Sequence, residues 1–256
     1  MGERRRSGGW FAVWKRNALV WRKGAVASLL GQLGEPFLYL FALGLGLGAL
    51  VGELDGVPYI TFLASGVVCS SAMFTGAFEA TYSAFSRMVP QRTWPAMLAT
   101  PLSVRDVVLG EAVWAATKGT FSATAVLLVG SILGVVESSL AIFAVPVAFL
   151  VALCFAALGL MVTAIAKTYD AFLFFTTLVI TPMLMLGGVF FPLSRMPEWL
   201  QSATQALPLT HGVELVRALV TGSTAAKPAV NIMVLALFTS VALLVATRLV
   251  ERRMTA

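Results

Sequence analysis

Long apolar stretches separated by short polar segments fill most of the 256-residue chain. A helix that crosses the hydrocarbon core of a bilayer needs about 20 mostly apolar residues. Six segments meet this requirement, and they predict an all-α polytopic membrane protein with six transmembrane helices, at residues 29–51, 58–80, 107–133, 140–166, 171–191 and 229–250.

The composition supports a membrane protein and argues against a soluble domain. Hydrophobic residues make up 59% of the chain and charged residues only 12%, which is too few charges to cover a water-exposed surface. The formal net charge of +6 would suit a nucleic-acid-binding protein, but the basic residues cluster beside the apolar segments. In that position they meet anionic headgroups. We therefore expect contacts with membrane lipids and none with nucleic acid.

The distribution of Lys and Arg predicts the orientation of the chain. Basic residues concentrate on the cytosolic side of multi-pass proteins. One side of the six predicted helices holds most of them, including the stretch Arg4 to Arg6, which we expect to be retained, whereas the other side holds Arg195, Arg217 and Lys227. Both termini are therefore expected in the cytosol.

Two segments on the cytosolic side have helical patterns of their own. Trp10, Trp14 and Trp21 recur at helical spacing, so residues 10–23 predict an amphipathic helix at the membrane surface or a cytosolic extension of the first span. The connection 87–105 predicts a helix of about two turns, in which Thr93 caps the start and Pro101 ends it. Ser103 with Asp106 has the spacing of a capping box for the next span.

The outer connection 192–227 is long and apolar, and it is divided by Pro192, Pro197 and Pro208. A solvated loop would be more polar, so this segment predicts two short helices that re-enter the outer leaflet or pack on the spans. His211, Glu214 and Arg217 follow at three-residue steps and share one helix face. They form either a polar cluster that holds the helix or a catalytic group, although one His and one carboxylate are too few ligands for zinc.

Ionisable residues in apolar segments are costly and often functional. Glu35, Glu79 and Glu111 lie near the cytosolic ends of their predicted helices, where they serve either anchoring or transport. Lys118 lies deeper, and it either contacts an anionic substrate or pairs with a carboxylate. The chain has no phosphate-binding Gly-x-x-x-x-Gly-Lys-Ser/Thr loop, so we expect it to bind neither ATP nor another cofactor by itself.

The order of these parts resembles the permease subunit of ABC-2 type exporters. The most specific stretch is Gly-Gly-Val-Phe-Phe-Pro at 187–192, followed by Met-Pro-Glu-Trp-Leu at 196–200 and Leu-Pro-Leu-Thr-His at 207–211. Trp-Arg-Lys-Gly at 21–24, Glu-Pro-Phe-Leu-Tyr-Leu at 35–40 and Ala-Thr-Pro-Leu at 99–102 add to the likeness, which covers essentially the full length. Within the family the chain is similar to the branch that includes nodulation permeases, which export lipo-chitooligosaccharides, and drug exporters share much of the pattern.

The resemblance implies one transmembrane domain over residues 1–256, a homodimer of this chain, and a separately encoded ABC ATPase that holds ATP and Mg. It also implies that the helix in 87–105 docks in the ATPase. We expect Trp94, Met97 and Leu98 to be exposed and to form that interface, the alternative being that the helix lies in the headgroups. The candidate coupling residues are Thr93, Trp94, Met97, Leu98 and Thr100.

The resulting expectation is a non-catalytic subunit that exports an amphiphile, most simply a lipo-oligosaccharide or glycolipid. A drug-efflux permease of the same family is one alternative. An intramembrane enzyme acting on lipid or sugar through Glu111, Lys118 or His211 is another. The candidate outer gate comprises Phe191, Pro192, Trp199, Leu200, His211, Glu214 and Arg217, and the candidate substrate path comprises Phe37, Tyr39, Phe74, Phe78 and Lys118.

Overall fold

A computed structural model of the chain describes residues 8–54, 56–223 and 227–255, without the side chains of residues 29, 32, 33, 35, 36 and 255. Helices make up most of this part, and its one strand pairing is the antiparallel hairpin of β1 (Glu53–Leu54) and β2 (Val57–Pro58). The predictions for Arg4 to Arg6 and for the Glu35 side chain lie outside the described residues.

Most of the long helices begin and end close to the boundaries that the apolar pattern predicts, but α4 continues to Met88, eight residues beyond its predicted end. Short 3₁₀ turns follow the first helix at Arg22–Gly24 and precede the ninth at Leu193–Arg195. In chain order the helices are α1 (Gly9–Trp21), α2 (Ala25–Leu38), α3 (Tyr39–Val51), α4 (Tyr59–Met88), α5 (Thr93–Leu98), α6 (Val104–Ile132), α7 (Ser139–Ile165), α8 (Asp170–Leu186), α9 (Glu198–Thr204), α10 (Pro208–Thr221) and α11 (Pro228–Thr255).

Four helices in the described part, α4, α6, α7 and α11, are long and apolar enough to cross a membrane. The apolar helices α3 and α8 are shorter. The chain is thus a multi-pass helical membrane protein. The count of six crossings stays a prediction, because its first crossing needs α2 together with α3 and its fifth needs α8 together with residues that follow it.

Helix α4 lies at the centre of the fold and packs against α6 and α7. Most of its side chains are buried, among them Phe62, Leu63 and Met73. Helix α11 packs on α7, and its outward side chains include the exposed Leu237 and Leu244. Apolar side chains on both faces of a helix are typical of spans that meet protein on one face and lipid on the other.

The ends of α5 and α6 show one correct prediction and one error. Ser103 and Asp106 form the predicted capping box at the start of α6. Thr93 does not cap α5, since Arg92 occupies the cap position with a positive φ of 50° and no side-chain cap bond forms. The short link after α4 must reverse within a few residues, and a left-handed residue at Arg92 makes that turn.

Candidate functional site

Four ionisable side chains meet where the C-terminal part of α4 lies against the N-terminal half of α6, on the side that the charge pattern predicts to be cytosolic, and we call them the inner ion cluster: Glu79, Arg87, Glu111 and Lys118. Arg87 donates to Glu79 Oε1 at 2.9 Å and to Glu111 Oε2 at 2.6 Å through its two terminal nitrogens. Lys118 Nζ lies 2.7 Å from the other oxygen of Glu79. Two cations therefore compensate two buried carboxylates, which is the condition under which such charges are tolerated away from water.

Two tryptophans donate further hydrogen bonds to these carboxylates. The Trp114 indole N–H donates to Glu79 Oε1 at 2.9 Å, and the Trp94 indole N–H donates to Glu111 Oε1 at 3.1 Å. The Glu111 side chain is 0% exposed, and Trp94 is equally inaccessible. A hydrogen bond to a charged group contributes about 1.5–3 kcal/mol, and the loss is larger when the partner stays buried.

The local structure explains how these residues meet. Glu111 and Lys118 are seven residues apart on α6, two helical turns, so they lie on one face. On α4, a π-helical turn at Glu79–Ser83 interrupts the α-helix, and such turns often occur at functional sites. The sequence left two roles open for Lys118, contact with an anionic substrate or pairing with a carboxylate. In the structure Lys118 pairs with Glu79.

Helix α5, the predicted coupling helix, is tied to this cluster, and one expectation about it was wrong. Trp94 is buried rather than exposed, because its indole N–H reaches Glu111 and its ring joins the apolar core. Met97 and Leu98 are half-buried against the same core. The exposed side of α5 instead carries Pro95 and Ala96, with Thr93 half-buried and with Ala99 and Thr100 exposed just beyond its end.

A second polar site lies around α10, in a cavity of about 690 Å³. We call it the outer cavity, because the charge pattern predicts that this end of the fold faces outwards. His211, Glu214 and Arg217 all line it, so the face predicted from their spacing exists. His211 contacts Asn231 Oδ1 at 2.8 Å through Nδ1 and the Gln205 carbonyl at 2.9 Å through Nε2. Asn231 also donates to Glu214 at 3.1 Å, which links α10 to α11.

Arg217 joins α10 to the outer end of α4. Its guanidinium donates to Ser65 Oγ at 3.1 Å, to the Phe62 carbonyl at 3.3 Å and to the Gly188 carbonyl at 2.8 Å. It also lies 3.6 Å from the centroid of the Phe62 ring. These contacts join α10 to two other segments, α4 and the residues that follow α8.

The other predicted gate residues are spread over the outer surface. Trp199 is 72% exposed and Phe191 39% exposed, whereas Pro192 is buried and Leu200 half-buried. They do not form one site with His211. The gate role and the entry of α9 and α10 into the leaflet stay predictions.

The predicted path aromatics have different neighbours. Tyr39 packs on Phe190, with ring centroids 5.6 Å apart, and Phe78 stacks on Tyr82 at 4.8 Å. Phe74 is partly buried on the main core. Phe37 stacks on Phe41 at 6.2 Å. The path role of these rings stays a prediction, whereas Lys118 belongs to the inner ion cluster.

Helix α4 connects the two polar sites. Phe62 and Ser65 hold Arg217 at its outer end, and Glu79 and Arg87 form the inner ion cluster at its other end. The 17 residues from Phe62 to Glu79 correspond to about 25 Å at 1.5 Å per residue, close to the thickness of a hydrocarbon core. Helix α4 therefore reaches from the inner ion cluster, which α5 contacts, to the outer cavity.

The arrangement offers little to a catalytic mechanism. The three acid–base candidates, Glu111, Lys118 and His211, are each held by neighbouring protein groups. Among the described residues no group of three or more His, Cys, Asp or Glu side chains is placed to hold a metal ion.

Sequence reasoning missed three members of these sites. Arg87 looked like a boundary charge of the connection 87–105, but α4 continues to Met88 and takes Arg87 into the helix. Trp114 and Asn231 lie in apolar segments and gave no sign of their partners. A polar side chain in an apolar span was the available signal for Asn231, since it must find a hydrogen bond there.

Comparison with known proteins decides the class of the molecule. The family model for the ABC-2 type transporter matches residues 9–221. The chain belongs to the ABC-2 type transporter family. It is 46% identical to nodulation protein J of Rhizobium leguminosarum bv. viciae over 96% of this chain and 95% of that protein.

Further relatives extend this likeness. The chain is 45% identical to nodulation protein J of Rhizobium meliloti (strain 1021), over 96% of this chain and 94% of that protein. The inner membrane transport permease YadH of Escherichia coli (strain K12) is 24% identical, over 78% of each chain. The chain is therefore the membrane subunit of a transporter, a permease and not a catalytic enzyme, and permeases of this family generally work with an ABC ATPase subunit.

Proposed function

We propose that this permease exports an amphiphilic cargo, a lipo-oligosaccharide or glycolipid, across the inner membrane of a bacterial cell. Two copies of the chain act with a separate ATPase that binds ATP and Mg. The observation that carries the proposal is the likeness to nodulation protein J, at 46% and 45% identity along nearly the whole chain. In this proposal the cargo is a sugar chain with a lipid tail, and it enters the permease laterally from the inner leaflet.

The contacts of α5 support a mechanical role for this helix. Its exposed side, with Ala96 and Thr100, is the surface left for an ATPase to bind. Its opposite side is anchored by Trp94 to Glu111 of α6, and Arg87 joins Glu111 to α4. A displacement of α5 therefore acts on two long helices at once.

The same chain of contacts leads to the outer side. Helix α4 carries the movement over its length, and Ser65 and the Phe62 carbonyl accept hydrogen bonds from Arg217 of α10. Helix α10 in turn holds α11 through His211 and Asn231. In the proposed cycle, closure of the ATPases rocks the two permease copies and shifts α10, which opens the exit at the outer cavity.

The test is reconstitution of the permease with an ABC ATPase subunit from the same organism, in liposomes that contain ATP and Mg. Candidate cargoes are a lipo-chitooligosaccharide, the same oligosaccharide without its acyl chain, and an apolar drug. The proposal expects ATP-dependent movement of the acylated sugar and stimulation of ATP hydrolysis by it, with little effect of the bare sugar. Preference for the drug would favour efflux, and conversion of a glycolipid by the permease without ATPase would refute the transport proposal.

A further inference from the structure

A cavity of about 490 Å³ lies between α1, the cytosolic ends of α4 and α6, and the link before α8. We call it the inner cavity, and the proposed transport cycle gives no role to the residues of α1 that line it. Arg16, Asn17 and Trp21 of α1 line it, together with Glu79, Arg87 and Lys118 of the inner ion cluster.

Two buried hydrogen-bond donors on α1 have no acceptor among the described residues. They are the side-chain amide nitrogen of Asn17 and the indole nitrogen of Trp21. Asn17 is only 3% exposed. Since an unsatisfied buried donor costs about 1–3 kcal/mol, such groups require an explanation, and two of them beside one cavity point to an acceptor that comes from outside the chain.

The orientation of both donors is set by the surrounding contacts. Arg16 donates to the Asn17 amide oxygen at 2.8 Å, which leaves the amide nitrogen as the available donor. The Trp21 ring packs edge-on against Trp114, with centroids 5.8 Å apart, and stacks on Phe121 at 5.9 Å. The donors are therefore held in place before any ligand binds.

The charges around the inner cavity favour an anion. Arg87 and Lys118 together compensate Glu79 and Glu111, so the positive charge of Arg16 is in excess. No carboxylate of the described residues lies within ion-pair distance of Arg16. Burial, and after it the positive charge of Arg87, lowers the pKa of Arg16 from its ordinary value, while Glu111 acts against this. A bound anion would offset the desolvation of this guanidinium and its repulsion by Arg87.

We propose that the inner cavity binds a phosphoryl group, which accepts hydrogen bonds from the Asn17 amide and the Trp21 indole and pairs with the Arg16 guanidinium. A phosphoryl group supplies several acceptor oxygens and a charge in one compact unit, and a guanidinium matches its geometry. The position of α1 at the predicted cytosolic surface offers two sources, the headgroup of an anionic phospholipid and free phosphate. This site is independent of the cargo and of the proposed function.

The binding test uses the purified full-length permease in a neutral detergent and isothermal titration calorimetry. The probes are short-chain phosphatidylglycerol, the matching diacylglycerol without phosphate, and inorganic phosphate. The proposal expects saturable binding of a phosphate-containing probe and none of the diacylglycerol. Binding of phosphatidylglycerol alone identifies the lipid headgroup as the source, and comparable binding of inorganic phosphate identifies the free anion.

Matched variants on the same helix make the test specific. Arg16→Gln removes the proposed charge, and its control Lys15→Gln removes an exposed charge one residue away. Trp21→Phe keeps the aromatic ring but deletes the N–H, and its control is Trp10→Phe, at a ring that is 37% exposed. Each site variant is expected to weaken binding about tenfold, because one hydrogen bond to a charged group is lost. Each control should retain wild-type affinity.

Thermal unfolding establishes whether each variant is folded. If one of the two site variants misfolds, the other still tests the proposal. Absence of saturable binding by both phosphate probes would overturn the proposal. So would wild-type affinity in a folded Trp21→Phe variant, or an equal loss in Lys15→Gln and Arg16→Gln.

Discussion

Replacement of Arg87 by Gln is the most informative perturbation of the inner ion cluster. The substitution removes three hydrogen bonds, one to Glu79 and two to Glu111, and leaves two buried carboxylates opposite the single charge of Lys118. Breaking a buried ion pair by removing one partner costs about 3–5 kcal/mol. For a chain of this size, 3 kcal/mol corresponds to a fall of about 6–12 °C in melting temperature.

A double-mutant cycle separates the pairing from other effects of the substitution. Glu111→Gln alone leaves Arg87 with a single carboxylate, whereas Arg87→Gln with Glu111→Gln restores equal numbers of positive and negative charges in the cluster. We therefore expect the double variant to be more stable than the sum of the two single losses predicts, by about 1–3 kcal/mol. The exposed Arg105 provides the control Arg105→Gln, which should change stability by less than about 0.5 kcal/mol.

The assay is thermal unfolding of the purified permease in detergent, followed by intrinsic fluorescence and by circular dichroism. Strictly additive losses in the cycle would show that Arg87 and Glu111 act independently, which contradicts the network described above. A melting temperature of Arg87→Gln equal to that of the control would refute the reasoning altogether.

Two further changes test the packing of the helices that surround the sites. Gly110→Ala should destabilise the permease by about 1–3 kcal/mol and loosen α1, because the new Cβ would lie 2.5 Å from the Val13 Cβ. Protease cleavage of α1 should accelerate, and unchanged cleavage would contradict the close packing. Arg217→Lys should cost about 1–2 kcal/mol in thermal unfolding, because arginine reaches the Ser65 hydroxyl and the Gly188 carbonyl with two different nitrogens and lysine has only one nitrogen. An unchanged melting temperature would argue against the link between α10 and α4.

The sequence was most informative where one physical signal dominates. Apolar length located the long helices, because a helix in hydrocarbon must be apolar over its whole exposed length. The spacing of Ser103 and Asp106 predicted a cap that depends only on local geometry. The three-residue steps of His211, Glu214 and Arg217 likewise located one wall of the outer cavity.

Prediction failed where a role depends on contacts between distant segments. Trp94 was expected at an exposed interface because the pattern of α5 shows which residues share a face but not which face meets the body of the protein. Its partner Glu111 is 17 residues away, on another helix. Arg87 pairs with a carboxylate 24 residues away, and Asn231 contacts His211 across two helices. Such pairings are set by the packing of the helices and leave no periodic signal in the chain.

The most direct test of the mechanical role is the amount of cargo exported per ATP hydrolysed, measured in liposomes that contain the permease and its ATPase. The variant Trp94→Phe keeps the buried ring but deletes the indole N–H that joins α5 to Glu111. Our account predicts continued ATP hydrolysis with a lower ratio of exported cargo to ATP, and an unchanged ratio for the control Trp10→Phe. A folded Trp94→Phe variant that retains the wild-type ratio would contradict the transmission of force through α5.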